Sequence, residues 1–274
     1  MSVPTAILSN GIEIPQLGLG VWRVPAGETR RVVATALDAG YRHIDTAKLY
    51  DNEAAVGAAV RESGLDRDEV FVTTKVWNSD QGYDSTLRAF DASMDRLGFD
   101  VLDLYLIHWP RPGKGTAAET WRAMEKLYAD GRVRAIGVSN FQPEHLRRLL
   151  DKSEVVPVVN QVELHPYLQQ VDVRKANEEL GVVTEAWSPL AKGGDLLHDP
   201  TITALSDKHG VAPAQVVLRW HMQLGTVAIP KSVTPARIQA NIDVFGFELD
   251  EQDLAMIATL DRDGRTGPHP DQLT

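Results

Sequence analysis

Asp45, Tyr50, Lys75 and His108 are the residue types that reduction of a carbonyl group calls for. That reaction needs a hydride donor and an acid that protonates the developing alkoxide. A free phenol titrates near about 10 and gives up its proton poorly at neutral pH. A neighbouring ammonium, such as that of Lys75, favours the phenolate and lowers that value. A carboxylate such as Asp45 can hold the ammonium charged and in place, and an imidazole such as His108 can hydrogen-bond the substrate oxygen and fix its approach. Taken singly, each has another reading. Asp45 could cap a helix, Tyr50 could be a packed aromatic with a wet hydroxyl, and His108 a satisfied structural histidine. Lys75, at the end of an apolar run, is the unusual one, because an unpaired buried lysine is costly.

The elements that must position these residues alternate along the chain. Apolar runs rich in Val, Ile and Leu recur at Gln16–Leu19, Arg42–Ile44, Val70–Thr74, Leu102–Ile107, Ala135–Val138, Val156–Asn160, Val182–Ala186 and Thr226–Ile229. They read as strands covered on both faces. Amphipathic segments with helical spacing lie between them, at Thr29–Ala39, Ser85–Leu97, Glu119–Ala129, Pro143–Leu150, Val173–Leu180 and Pro213–Leu224. Several open on Pro or end at Gly, as helices do. Eight alternations without a long linker predict an α/β fold, a single (β/α)8 TIM barrel spanning 1–274 as one domain. The rival is a doubly wound sheet, but Gly18-Leu19-Gly20 is followed by Arg23 where a third glycine belongs. Thr5–Leu8 and Ile12–Ile14, split by Asn10-Gly11, predict a β-hairpin ahead of the first barrel strand. The tail 263–274 reads as irregular.

Polar and aromatic residues stand just past nearly every strand: Trp22, Asp45, Lys75 with Trp77, His108 with Trp109, Ser139 with Asn140, Gln161, Trp187 and Lys231. In a barrel those ends converge on one face, where active sites sit. Trp121 and Trp220 fall within helices and read as core. His43, His165 and His209 receive no catalytic role, and no grouping has metal-ligand spacing.

Composition narrows the class. The 274 residues include no cysteine, which excludes disulfides, thiolate nucleophiles and Cys-ligated zinc. A formal net charge of −10 argues against broad nucleic-acid binding. No apolar run approaches the ~20 residues of a membrane span, and the N-terminus lacks the pattern of a signal peptide. These features predict a cytoplasmic protein that acts on a small molecule and has no evident need to assemble, hence a monomer.

Three separated stretches carry a resemblance that covers essentially the whole chain. They are Gly40-Tyr41-Arg42-His43-Ile44-Asp45-Thr46-Ala47 with Tyr50, Asn52-Glu53 and Val56-Gly57; Arg134-Ala135-Ile136-Gly137-Val138-Ser139-Asn140-Phe141; and Ile229-Pro230-Lys231-Ser232-Val233-Thr234 with Arg237 and Asn241. Leu106-Ile107-His108-Trp109-Pro110 and Asn160-Gln161-Val162-Glu163 fit as well. The sequence resembles the aldo-keto reductase family, and most of all its bacterial 2,5-diketogluconate reductase-like members. The resemblance implies a barrel that binds NADPH without a Rossmann fold. It implies Tyr50 as general acid, Lys75 and Asp45 as the pair that sets its acidity, and His108 as substrate orienter. Ser139, Asn140 and Gln161 would hold the nicotinamide carboxamide and Trp187 would stack on the ring, its other reading being core packing. Ser188, Leu190, Lys231, Ser232, Val233, Thr234, Arg237 and Asn241 complete the implied cofactor site. Lys231, Ser232 and Arg237 suit the 2′-phosphate of NADPH, which Arg can grip bidentately; the bland alternative is a solvated basic turn. Ala240 stands where many relatives carry Glu, so one contact near the adenine is missing. Trp22, Trp77 and Trp109 are expected to line the substrate pocket. Lys48 either draws anionic substrates there or points to solvent. Short loops suggest an open mouth suited to aldehydes, α-dicarbonyls and keto sugars. The alternatives are a cofactor-binding regulatory subunit with little turnover, and a lyase or aldolase using Lys75 as a Schiff-base amine.

Overall fold

The computed structural model describes residues 3–153 and 155–273, so Met1, Ser2, Glu154 and Thr274 of the 1–274 span lie outside the described residues. Its main sheet has eight parallel strands in sequence order: β3 (Leu19–Gly20), β4 (His43–Asp45), β5 (Phe71–Val76), β6 (Leu102–Ile107), β7 (Val133–Ser139), β8 (Val159–Glu163), β9 (Val183–Trp187) and β10 (Val227–Ala228). The two edges meet. Leu17 forms a parallel bridge with Ala228, Gly18 donates to the Ala228 carbonyl at 2.9 Å, and Gly20 donates to the Pro230 carbonyl at 3.2 Å. The sheet therefore closes as a barrel, which removes its unpaired edges.

An antiparallel hairpin, β1 (Thr5–Ile7) and β2 (Glu13–Pro15), precedes it. Leu8 and Ile14 of this hairpin are buried in a cluster with Phe71, Leu104, Leu106, Ala135 and Val227. The hairpin thus plugs the N-terminal end of the barrel and leaves the opposite end for chemistry.

Helices cover the outside: α1 (Ala26–Asp38), α2 (Glu53–Glu62), α3 (Tyr83–Leu97), α4 (Ala117–Ala129), α5 (Pro143–Leu150), α6 (Val171–Glu179), α7 (Pro200–His209), α8 (Pro213–Gln223), α9 (Pro235–Ile242) and α10 (Glu251–Ala258). Their inward faces supply Val32, Val33, Phe90, Trp121 and Trp220 to the main core, so both helical tryptophans are core residues as expected. At Gly57 of α2 a Cβ would lie 1.9 Å from the Leu97 carbonyl oxygen, so α2 and α3 can approach this closely only because the position has no side chain.

Most pattern-based boundaries shift by a few residues, and at two strands the shift has a clear physical reason. The run Val156–Asn160 becomes β8 at Val159–Glu163, because Pro157 has no N–H for the ladder. The run Gln16–Leu19 yields only Leu19–Gly20 as β3, since Gln16 donates to Pro4 on the hairpin side. Four helices had no expectation: α2, whose Ala/Gly-rich sequence hides its periodicity, and α7, α9 and α10, each of only 8–10 residues.

Candidate active site

The ends of β4, β5 and β6 and the loop after β4 bring Asp45, Lys75, His108 and Tyr50 to the open end. β4 ends on Asp45, and the chain then makes a short 3-10 turn over Lys48–Tyr50, closed by Tyr50 N–H to the Ala47 carbonyl at 2.9 Å. Asp51, with φ 54°, turns the backbone sharply afterwards. Asn52 fixes this loop. It accepts from the Thr46 hydroxyl at 2.7 Å and donates to the Val21 and Val24 carbonyls of the β3 loop. Asn52 is a positioning residue that the family motif contains but that sequence reasoning gave no role.

Lys75, on the inner face of β5, is fully buried and spends its three N–H donors on Asp45 Oδ1 (2.6 Å), Asp45 Oδ2 (2.8 Å) and the Thr46 carbonyl (2.8 Å). Burial opposes its charge, but Asp45 and Tyr50 outweigh that and raise its pKa. Burial likewise raises the Asp45 carboxyl, with Lys75 acting against it. A charged, triply bonded ammonium is no Schiff-base nucleophile, which removes the aldolase alternative.

The Lys75 ammonium lies 5.2 Å from the centre of the Tyr50 ring. Tyr50 and His108 meet edge-on at 5.7 Å, and Trp77 closes on the other side of His108 at 5.1 Å. Trp109 stacks beyond it at 6.5 Å. Burial dominates the phenol and pushes it up to about 12, while Lys75 pulls it back down. The expectation that Lys75 lowers the phenol holds for the sign of its contribution and fails for the net position, because desolvation is the larger effect. Burial also drives the His108 imidazole well below its ordinary range, with Lys75 adding to it, so the ring is neutral at pH 7.

A second group stands across the mouth, at the ends of β7, β8 and β9. Ser139 donates to the Gln161 carbonyl at 2.8 Å, and Asn140, with φ 65°, donates its amide to the His108 carbonyl at 2.9 Å. The half-buried Trp187 donates its indole N–H to Asn140 Oδ1 at 2.8 Å, so its ring is fixed beside these amides. Gln161 Nε2 donates to Asp45 Oδ2 and to Glu185 Oε2, both at 2.8 Å. Sequence reasoning assigned nothing to Glu185; its position two residues before Trp187, on the same face of one strand, was the available signal.

The third group surrounds the start of α9. Lys231, Thr234 and Arg237 are exposed, Ser232 and Asn241 are buried, and Val233 packs partly against the core. No side chain caps the N-terminus of α9, and neither Lys231 nor Arg237 forms a salt bridge among the described residues. Two unpaired cations beside the positive end of α9, on a chain of net charge −10, fit a phosphate. They fit less well with a merely solvated basic turn.

Ser188 and Leu190 belong to the loop after β9, where Ser188, Ala191 and Lys192 all have positive φ. That loop is tied to the tail: Lys192 Nζ donates to the Thr266 carbonyl at 2.5 Å. Glu163 holds the same tail, accepting from the backbone N–H and hydroxyl of Thr266 and from the Gly267 N–H at 3.1 Å. At Gly267 a Cβ would lie 2.5 Å from the Trp187 ring. The irregular tail is therefore pinned, with a short 3-10 turn at Pro270–Gln272, and Thr274 lies outside the described residues.

At the rim, Trp22 is 39% exposed and carries Arg23 on its face at 4.3 Å. Lys48 pairs with Asp80 at 3.1 Å. Its side chain is 37% exposed, so Lys48 reaches solvent while paired with Asp80. Among the described residues no group of three or more His, Cys, Asp or Glu could hold a metal ion, and no helix is long and apolar enough to cross a membrane.

Comparison with known proteins agrees with this geometry. Residues 15–262 match the family profile described as aldo/keto reductase family. An aldo-keto reductase of Mycobacterium sp. (strain JLS) is 57% identical over 270 residues, covering 98% of each chain. Glyoxal reductase of Bacillus subtilis (strain 168) is 52% identical over 270 residues, covering 98% of this chain and 97% of the relative. A variant of Gox0644, crystallised in complex with NADPH, superposes with a TM-score of 0.96 at 49% identity over 100% of both chains.

Proposed function

The chain belongs to the aldo/keto reductase family and is an NADPH-dependent oxidoreductase of carbonyl compounds; we propose that it reduces small aldehydes, α-dicarbonyls or keto sugars, with Tyr50 as the proton donor. The observation that carries this reading is the convergence of Tyr50, Lys75, Asp45 and His108 from three strands and a loop at one mouth, with the ammonium 5.2 Å from the phenol ring.

NADPH, when bound, supplies the hydride. The rest falls to the chain's own residues. Ser139, Asn140 and Gln161 receive the carboxamide end, Trp187 flanks the ring, and Lys231, Ser232 and Arg237 take the phosphate. Ser188, Leu190, Val233, Thr234 and Asn241 line the stretch between. His108, neutral and wedged between Tyr50 and Trp77, donates a hydrogen bond to the substrate oxygen and turns it toward the phenol. Tyr50 then gives its proton to that oxygen as negative charge builds there. A phenol at about 12 holds its proton at neutral pH and releases it only to a base as strong as a nascent alkoxide. Lys75 stabilises the phenolate left behind, and Asp45 keeps Lys75 charged. Trp22, Trp77 and Trp109 shape an apolar entrance, and Asp80 compensates the charge of Lys48 at its rim.

Tyr50→Phe tests the assignment: kcat is expected to fall by about 10²–10⁴-fold, while NADPH affinity, read by fluorescence titration, changes little. Near-normal turnover would reject Tyr50 as the acid. A cofactor-binding subunit without turnover finds no support in a site this complete. We further read 1–274 as one domain acting as a cytoplasmic monomer. The cysteine-free composition suits a reducing compartment, and one chain supplies the whole site; size-exclusion chromatography with light scattering tests the monomer.

A further inference from the structure

Beneath the phenol lies a charge-bearing side chain that the reaction scheme leaves unused. Glu185 is fully buried on the inner face of β9, in register with Gln161 on β8 and Val227 on β10. Gln161 Nε2 divides its two hydrogens between Glu185 Oε2 and Asp45 Oδ2, each at 2.8 Å. Only the carbonyl oxygen of the Gln161 amide then remains to meet a bound carboxamide, and it can do so only as an acceptor. The other oxygen of Glu185, Oε1, has no hydrogen-bond partner among the described residues, and His43 Nε2 stands 3.6 Å from it, beyond hydrogen-bonding range. An ionised carboxylate here would have one bare oxygen in a dry interior and a second carboxylate, Asp45, across a shared amide. Both features penalise the charge, whereas a neutral acid carries its proton without those penalties.

We propose that Glu185 is a positioning residue for reduction: as a neutral acid it locks the Gln161 amide in its cofactor-facing orientation and keeps the Asp45–Lys75 pair balanced beneath Tyr50, and its ionisation slows the reaction. The inference rests on Tyr50 being the acid. The groups facing Glu185 are Asp45 and His43 from β4, Lys75 from β5 and Gln161 from β8, with Tyr50 above; β3 and β10 present only Leu19, Gly20, Val227 and Ala228. Burial first, and the Asp45 charge second, push Glu185 up to about 8. Charge on Glu185 raises both Tyr50 and Lys75, which makes the phenol a poorer acid.

The experiment compares the wild type with Glu185→Gln and Glu185→Ala, using NADPH and glyoxal from pH 6.5 to 9.5, with each rate scaled to its own value at pH 6.5. The wild-type kcat is expected to fall several-fold across the range, and in Glu185→Gln that fall should move up by at least one pH unit. Glu185→Ala should weaken NADPH binding about fivefold or more, and Glu185→Gln, which can still accept from Gln161, should restore most of it. A Glu185→Gln profile that overlays the wild type overturns the proposal, and so does NADPH affinity unchanged in Glu185→Ala. If Glu185→Ala does not fold, the isosteric Gln variant alone decides. Failure of the Tyr50 reading would show separately, as turnover retained in Tyr50→Phe.

Discussion

At the scale of single residues, the site works by setting one charge against another in a dry place. Lys75 is fully buried, yet it keeps its proton because two carboxylate oxygens and a carbonyl receive its three hydrogens. Burial alone would have made it neutral. The same burial raises Tyr50 to about 12, so Lys75 does not turn the phenol into a free acid at pH 7. Its role is to make the phenolate tolerable at the moment the alkoxide forms, which is differential stabilisation of the transition state. The phosphate end follows a simpler rule. Arg237 and Lys231 are exposed and form no salt bridge among the described residues, so each contributes attraction without a competing partner there. Arg237→Ala is therefore expected to raise the KM for NADPH about tenfold with little change in kcat, and Lys231→Ala to do the same more weakly, because Arg can grip a phosphate with two parallel bonds. If that phosphate is the 2′-phosphate, the KM for NADH should hardly move. Steady-state kinetics with both cofactors checks this; an equal loss for NADH would place these cations on the pyrophosphate instead.

At the scale of elements, the strand ends fix the chemistry and the loops fix its surroundings. The candidate catalytic set was legible in the sequence because Asp45, Lys75 and His108 stand at the ends of apolar runs and Tyr50 follows shortly after Asp45, and β6 and α5 match their expected limits. The acids Glu163 and Glu185 were not legible. A single inward acid on a strand looks like a polar interruption, and only the strand register shows that Gln161, Glu163, Glu185 and Trp187 share one face of the sheet. The tail is irregular as expected apart from the turn at Pro270–Gln272; what its sequence did not reveal is the anchoring, which depends on Glu163, about 100 residues upstream. Glu163 carries a lowered pKa; burial opposes that, and the bonds from His165, Thr266 and Gly267 outweigh it. It therefore accepts as a carboxylate, in charge-assisted bonds. Glu163→Ala is expected to release residues 264–268 from Trp187 and Lys192. Limited proteolysis should then cut near Arg262 or Arg265 in the folded enzyme, and the KM for the carbonyl substrate should rise several-fold while NADPH affinity holds. A tail that stays protease-resistant would show that Lys192 and the surrounding packing suffice to hold it.

At the scale of the whole molecule, the barrel encloses ionisable groups that water would treat differently, and this shapes its stability against pH. Burial lowers His43 and His221 to about 3 and drives His108 down as well, so all three stay neutral in the fold below their ordinary 6.5. The unfolded chain takes up those protons on acidification and the fold does not, so stability falls as pH drops below about 6.5. Glu185 has the opposite sign. Its folded value of about 8 lies above its ordinary 4.5, so the fold retains a proton that the unfolded chain has lost. Its contribution is full below about 4.5 and is withdrawn as pH rises toward about 8, at up to about 1.4 kcal/mol per pH unit. Between about 4.5 and 6.5 the lowered histidines, His145 included, outweigh Glu185, and stability rises with pH. Above about 6.5 the histidines are neutral in both states and the raised acids, Glu185 foremost, remain, so stability declines. The melting temperature should therefore peak near pH 6.5, and Glu185→Gln, which has no proton to lose, should flatten the decline between pH 6.5 and 8 while leaving the acid side as it was. Thermal unfolding across that range decides it. A wild-type melting temperature that keeps climbing to pH 8 would mean that Glu185 is already ionised in the fold, and that the barrel interior holds two carboxylates against the single ammonium of Lys75.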